Sequence, residues 1–152
     1  MSKRNLQSAA YATKVPIFEP QQHTAAQLRG LAFEAAVKKR LKNIYAKSKA
    51  GPWLNYVTAN NRSSICQPDM LIWLSDTHIL IIEAKLTWQR KAREKLMNFY
   101  KPLIECIHPD ATISCLQIFK NTKKAAHKRP LSIYNLDTIK PGTYRECHWL
   151  GL

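Results

Sequence analysis

The stretch that decides the fold is DMLIWLSDTHILIIEAKL, residues 69–86. Residues 69–74 and 78–86 are apolar runs of strand length, and Ser75-Asp76-Thr77 between them has the composition of a turn. Two such runs with a three-residue connection are typical of a β-hairpin. We therefore predict two adjacent antiparallel strands in the core, with a carboxylate near the outer end of each.

The hairpin predicts that these two carboxylates meet. If the turn is centred on Asp76, Leu74 faces His78 and Asp69 faces Glu83. Directly opposed residues have Cβ atoms about 4.5–5.5 Å apart, so the carboxylates would repel each other. A divalent cation relieves that repulsion, and Mg²⁺ characteristically takes one or two carboxylates. A register slip of one residue would instead place them on opposite faces.

Lys85 is predicted to join the same site. Strand alternation places Glu83 and Lys85 on one face with Ile79 and Ile81. Charged groups at the end of a buried strand are costly unless they are paired or ligated. An ion pair at the rim of the sheet and a lysine that belongs to the metal site are both open at this point.

A helix before the hairpin carries a third carboxylate. Thr24-Ala-Ala-Gln27 matches a capping box, and the helix is expected to run to about Lys47. Glu34 falls inside the apolar arc of that helix, whose other members are Gly30, Phe33, Val37, Leu41, Ile44 and Tyr45. A carboxylate facing the core needs a partner, so Glu34 is either a paired structural residue or a third acidic contributor to the site.

The remaining pattern predicts one α/β domain. Residues 1–22 are interpreted as a flexible arm and residues 23–152 as the domain. The domain is expected to contain a mixed central sheet flanked by helices, and a β-rich C-terminal tail. The further predicted elements are strand 53–58, helix 88–107 bent at Pro102, strand 111–119, and weaker strands 131–134 and 143–150.

Charge points to a polyanionic partner. Twenty-four Lys and Arg oppose ten Asp and Glu, giving a net charge of +14. Such an excess favours nucleic acid, since each neutralised phosphate releases counterions, although solvated lysines without a partner give the same count. The four cysteines show no CxxC spacing and are expected to be free thiols. We found no signal or membrane-span pattern, so we expect a cytoplasmic protein, in the host cell if it is viral.

Two groups of residues are candidates for contacts with DNA. The first follows Lys85 directly and consists of Thr87, Gln89, Arg90, Lys91, Arg93 and Lys95. The second lies in a predicted basic loop and consists of Lys123, Lys124, Lys128 and Arg129. Such residues hold phosphates without reading sequence. A solvated helix face, helix-capping roles for Thr87 and Gln89, and a plain surface loop are the alternatives.

Taken together, Gly30-Leu-Ala-Phe-Glu34, Pro68-Asp69 and Glu83-Ala84-Lys85 resemble the PD-(D/E)xK nuclease superfamily over residues 24–120. The resemblance implies a restriction-endonuclease-like αβββαβ core. It also implies that Asp69, Glu83 and the Ala84 carbonyl bind Mg²⁺ or Mn²⁺, that Lys85 orients the attacking water, and that Glu34 holds a bound water or a second ion. The QxxxY motif of the recombination exonucleases is absent, because Gln89 and Tyr100 lie eleven residues apart.

The expected function is therefore a Mg²⁺-dependent DNA endonuclease. The short chain leaves little room to read bases, so it is expected to select branched, junction or flap DNA by shape. It looks most similar to small phage nucleases and Holliday-junction resolvases, and the latter implies a homodimer. A non-catalytic nucleic-acid-binding protein is the alternative from another class. An exonuclease or an RNA-cleaving member of the superfamily is the alternative within the same class.

Overall fold

The computed structural model describes residues 5–123 and 131–149. In chain order the elements are β1 (Leu6–Tyr11), α1 (Ala25–Ile44), β2 (Ser48–Ala50), β3 (Leu54–Thr58), β4 (Ser63–Cys66), β5 (Met70–Ser75), β6 (His78–Thr87), α2 (Lys91–Glu94), a π-helical segment (Lys95–Tyr100), α3 (Lys101–Ile107), β7 (Thr112–Asn121), a 3-10 helix (Ile133–Thr138) and β8 (Tyr144–His148).

The centre of the molecule is a five-stranded mixed sheet in the order β2-β5-β6-β7-β8. β2, β5 and β6 pair antiparallel, whereas β6, β7 and β8 run parallel. β6 is the middle strand, and its residues 78–84 are all buried. This explains its nearly continuous apolar sequence, since a strand covered on both faces cannot alternate with polar residues. The prediction of an α/β domain with a mixed central sheet is confirmed.

The predicted hairpin forms, with one correction at its turn. Met70 pairs with Ile82, and the same register holds as far as Trp73 and Ile79. An irregularity then shifts the register, so that His78 pairs with Ser75 and not with Leu74 as predicted. The shift lies at the turn end of the hairpin. At the other end the register is the predicted one, and it brings Asp69 beside Glu83.

Two apolar clusters cover the two faces of the sheet. On one face, α1 buries Phe33, Val37 and Leu41 against alternate residues of β5 and β6. On the other face, the π-helical segment and α3 pack on the remaining alternate residues of the same strands. Each such fully buried aliphatic side chain contributes about 1.5–3 kcal/mol. The helix cap is also as predicted, because Thr24 and Gln27 form the reciprocal capping box.

The N-terminal segment differs from the predicted flexible arm. Leu6–Tyr11 forms β1, which pairs with β3, and β3 pairs in turn with β4 in a second, three-stranded sheet. The predicted strand 53–58 exists as β3, but it lies in this second sheet, and β2 extends the central sheet in its place. Pairing between β1 and β3 joins residues 43 to 52 positions apart, from Tyr11 with Leu54 to Leu6 with Thr58, so no local pattern in the sequence could predict it.

Two further predictions are modified. The helix predicted over 88–107 begins at Lys91, and its irregularity before Pro102 is the π-helical segment, where the Lys101 N–H bonds to the Leu96 carbonyl five residues back. The prediction of a strand over residues 131–134 is wrong, because Ser132 caps a 3-10 helix over Ile133–Thr138. The last predicted strand is confirmed as β8.

Candidate metal and nucleic-acid site

Asp69 and Glu83 stand at the same end of neighbouring strands. Asp69 immediately precedes β5, and its Oδ2 accepts a hydrogen bond of 2.7 Å from the main-chain N–H of Ala84 in β6. Glu83, one residue earlier in β6, is only 3% exposed. The bond to Ala84 fixes the Asp69 carboxylate against the strand that carries Glu83, as the predicted register requires.

Glu34 completes an acidic group with these two residues. Its carboxylate lies close enough to Asp69 to raise the pKa of that carboxyl, and it also pairs with Lys38 at 2.7 Å, one helical turn further along α1. Burial, then the charge of Glu83, then that of Glu34 raise the pKa of Asp69 to about 8. Because the neighbouring carboxyl groups favour a proton on Asp69 at neutral pH, the same position also favours a bound cation.

Glu83 is buried without full compensation. Its Oε1 lies 4.0 Å from Lys85 Nζ, at the outer limit of an ion pair, and its Oε2 lies 3.6 Å from Lys95 Nζ. Oε2 has no hydrogen-bond partner among the described residues. A buried carboxylate oxygen without a hydrogen bond is costly, so the site has a place for one more ligand.

A divalent ion is compatible with this donor set, although the set is small. In the described part of the chain no group of three or more His, Cys, Asp or Glu side chains is arranged to hold a metal ion. Mg²⁺ does not require such a group, because it commonly takes one or two carboxylates and completes its shell with water and phosphate oxygens. The buried Glu83 Oε2 without a hydrogen bond and the neighbouring Asp69 suit that mode.

Two lysines belong to this site that sequence reasoning did not place there. Lys38 pairs with Glu34 in the structure, and its i,i+4 spacing from that residue is a usable sequence signal for such a pair. Lys95 was predicted only as a DNA contact, and the structure turns it toward Glu83. No sequence pattern predicts that second contact, because it joins a helix to a strand across the sheet.

Only some of the residues predicted to contact DNA lie near the acidic group in the described part of the chain. Arg90, Lys91 and Arg93 are exposed where the chain leaves β6 and enters α2, and the Arg93 guanidinium lies 5.3 Å from the centre of the Tyr144 ring. Lys123 is exposed beyond the end of β7. The other three residues of the predicted basic loop, Lys124, Lys128 and Arg129, lie outside the described residues.

A buried polar row crosses the sheet beside Glu83, and sequence reasoning missed it. Gln117 on β7 pairs with Glu83 on one side and with Glu146 on β8 on the other. Its amide holds the main chain of Gln89, accepting from the N–H at 2.8 Å and donating to the carbonyl at 3.0 Å. The segment between β6 and α2 is thereby anchored to the sheet. A glutamine inside the apolar strand sequence TISCLQIF was the available signal.

An open cleft of about 500 Å³ lies between α1 and the end of β6. Both Glu34 and Lys85 line it, as do Ala84, Thr87 and Gln89. The cleft therefore leads from solvent to the edge of the acidic group.

Comparison with known proteins adds no relative: no family model, no curated protein and no solved structure matches this chain. No helix in the described ranges is long and apolar enough to cross a membrane.

Proposed function

We propose that this protein is a Mg²⁺-dependent endonuclease that hydrolyses phosphodiester bonds in DNA. The observation that carries the proposal is the convergence of Asp69, Glu83 and Glu34 from three separate elements, next to the ammonium group of Lys85. Carboxylates that crowd one another at a partly buried position destabilise the fold, so such a group is typical of a functional site. Here the carboxylates could bind a cation, and the lysine beside them could bind a phosphate.

Each residue has a role that follows from its position. Asp69 and Glu83 would hold Mg²⁺ or Mn²⁺, and such an ion supplies a water of lowered pKa and offsets charge that develops on the phosphate. Lys85, on the same strand as Glu83, would orient the attacking water and attract the scissile phosphate. Glu34 would accept a hydrogen bond from a water at the site. The Ala84 N–H keeps the Asp69 carboxylate in place for this task.

The connectivity supports a restriction-endonuclease-like core. Helix α1 is followed by the antiparallel strands β2, β5 and β6, then by the helical stretch 91–107, then by β7 parallel to β6. With β3 and β4 treated as an insertion, this is the helix, three strands, helix, strand order of the proposed superfamily. Cleavage of both strands at a junction would further require two active sites, and hence a homodimer.

The test is a plasmid-nicking assay. With Mg²⁺ or Mn²⁺ the wild-type protein should convert supercoiled plasmid to nicked and linear forms, and excess EDTA should stop the reaction. Glu83→Gln is the matched control, since it keeps the shape of the side chain and removes its charge. Cleavage by Glu83→Gln at the wild-type rate would point to a contaminating nuclease and contradict the proposal.

A non-catalytic nucleic-acid-binding protein is the second candidate. The contacts of Glu83 with Lys85 and Lys95, and of Glu34 with Lys38, favour it, because they partly neutralise the acidic group without a metal. Tight DNA binding, combined with no cleavage in Mg²⁺, Mn²⁺ or Co²⁺ on plasmid, junction or flap DNA, would select this alternative.

DNA is expected to cross the exposed start of α2. The double variant Arg90→Ala with Lys91→Ala should weaken binding about 10-fold or more near 100 mM salt and reduce the slope of log K against log salt by about 2. The measurement is fluorescence anisotropy of a labelled duplex, in Ca²⁺, across a salt series.

The matched control for this experiment also removes two exposed positive charges. Lys39 and Lys42 lie on the solvent side of α1, and replacing both with Ala should change the slope by much less. Equal slopes for the two double variants would mean that binding depends on overall charge and not on the start of α2.

A further inference from the structure

The cleft between α1 and the end of β6 has the lining and the size of a ligand pocket. Beyond Glu34 and Lys85, its wall includes the apolar residues Ala26, Leu31 and Leu86, and the polar residues His23 and Gln27 lie at the α1 side. Its volume of about 500 Å³ is in the range of pockets that enclose small organic ligands. A double helix is too wide to enter it, whereas a single nucleotide is not.

Gly30 keeps this cleft open. It lies inside α1 and lines the cleft, and a Cβ built on it would meet no atom within 4 Å. A glycine in the interior of a helix is about 1 kcal/mol less favourable than alanine, so neither the backbone nor the packing of this fold requires glycine here. What the missing side chain provides is space, at a position that faces the cleft.

The cleft continues into a basic hollow. Leu86 lines both, and on its far side the hollow, of about 470 Å³, is bordered by Arg29 and Lys120 together with Asn121 and Phe33. An apolar compartment thus opens directly onto two cationic side chains. Gln89 also lines the cleft, and its main chain is held in place by Gln117.

We propose that this cleft is a binding subsite for one unpaired nucleotide of the DNA. The base occupies the apolar compartment at Gly30, Leu31 and Leu86, and the neighbouring phosphate lies against Arg29 and Lys120. Extracted bases are commonly held this way, between apolar side chains and with amides at the base edge. The inference rests on the proposed function and narrows it, because the preferred substrate then carries an unpaired nucleotide beside the scissile bond.

The first test compares three DNA substrates that differ at one position near the cut: fully paired, with one unpaired thymidine, and with an abasic site in place of that thymidine. Wild-type protein should cleave the unpaired substrate at least about 10-fold faster than the other two. Gly30→Leu, which fills the cleft, should lose this preference. Ala36→Leu, which also places a leucine on α1 but at an exposed position outside the cleft lining, should keep it.

A second variant covers the case in which Gly30→Leu does not fold. Leu31 is 46% exposed, so Leu31→Glu should fold, and it introduces a negative charge where the base would lie. It should lose the preference as Gly30→Leu does. A wild-type preference below 2-fold, or a preference that both cleft variants retain, would overturn the subsite.

A photocrosslink separates this inference from the proposed function. An oligonucleotide with 4-thiothymidine at the unpaired position is bound in EDTA, irradiated, and the crosslinked peptide is identified by mass spectrometry. Crosslinks to peptides containing Leu31 or Leu86, with no cleavage of any substrate in Mg²⁺ or Mn²⁺, would support the subsite and contradict the nuclease. Cleavage with crosslinks only elsewhere would support the nuclease and contradict the subsite.

Discussion

Lys85→Ala is expected to lower the Mg²⁺-dependent cleavage rate by about 10²–10⁴-fold, the range of a positioned group that assists proton transfer. Lys85 Nζ lies 4.0 Å from Glu83 Oε1 on the same strand, so under the proposed function its removal takes away a cation beside the scissile phosphate and leaves the proposed ligands Asp69 and Glu83 in place. DNA affinity should change by less than about 3-fold, because one phosphate contact among many is lost. The measurement is a single-turnover rate with saturating protein, together with anisotropy in Ca²⁺.

Lys39→Ala is the matched control for this prediction, since Lys39 is an exposed lysine on α1 away from the site. It removes the same charge and should cleave at nearly the wild-type rate. A Lys85→Ala protein that retains more than about a third of wild-type activity would show that Lys85 is only an ion-pair partner of Glu83. Lys95, on the other oxygen of Glu83, would then be the next candidate.

Asp69→Asn is expected to stabilise the metal-free protein at high pH. The folded-state pKa of Asp69 is raised to about 8 from 3.8, so the folded chain takes up a proton between about pH 4 and pH 8. Wild-type stability should therefore fall as the pH rises through that window. Asparagine cannot ionise and can still accept from the Ala84 N–H, so the variant should be more stable by about 2 kcal/mol or more at pH 9. The difference should be smallest near pH 4.

The same variant should lose its response to metal. Bound ion stabilises a folded protein by about 2.7 kcal/mol at a hundred times its dissociation constant, so Mn²⁺ should raise the wild-type melting temperature at pH 8 and leave Asp69→Asn almost unchanged. Thermal and urea unfolding with and without Mn²⁺ measure both effects. Asp76→Asn, at an exposed turn, is the control and should respond like wild type. If Asp69→Asn and wild type were equally stable from pH 4 to pH 9, the neighbouring carboxylates would not raise the pKa of Asp69, and the prediction would be wrong.

The parts of the fold that follow from local sequence could be predicted. The hairpin depends on two apolar runs and a turn, the start of α1 on a capping box, and the place of Asp69 beside Glu83 on strand register. Even there the pairing at the turn differs by one residue from the prediction, because the strand has an irregularity between Trp73 and Ser75.

The parts that depend on distant partners could not be predicted. Strand β1 has a mixed sequence, LQSAAY, and gains its strand character from pairing with β3. The roles of Lys95 and Gln117 arise where a helix and a third strand meet β6, and the distance between such residues along the chain carries no information about their contact. Asp69, Glu83 and Lys85 could be predicted because they share one hairpin, whereas Lys95 and Gln117 come from other elements.

The π-helical segment Lys95–Tyr100 has a consequence for how insertions and deletions would act. A π turn contains one residue more than an α turn, and one residue corresponds to about 100° of rotation about the helix axis. Removing a single residue from this segment would turn the strongly basic start of the helix away from the sheet end that holds Glu83, while Leu103 and Ile104 kept their place in the core. The extra residue in the π turn thus sets how far the basic start of this helical stretch, residues 91–107, is rotated about the helix axis relative to its apolar end.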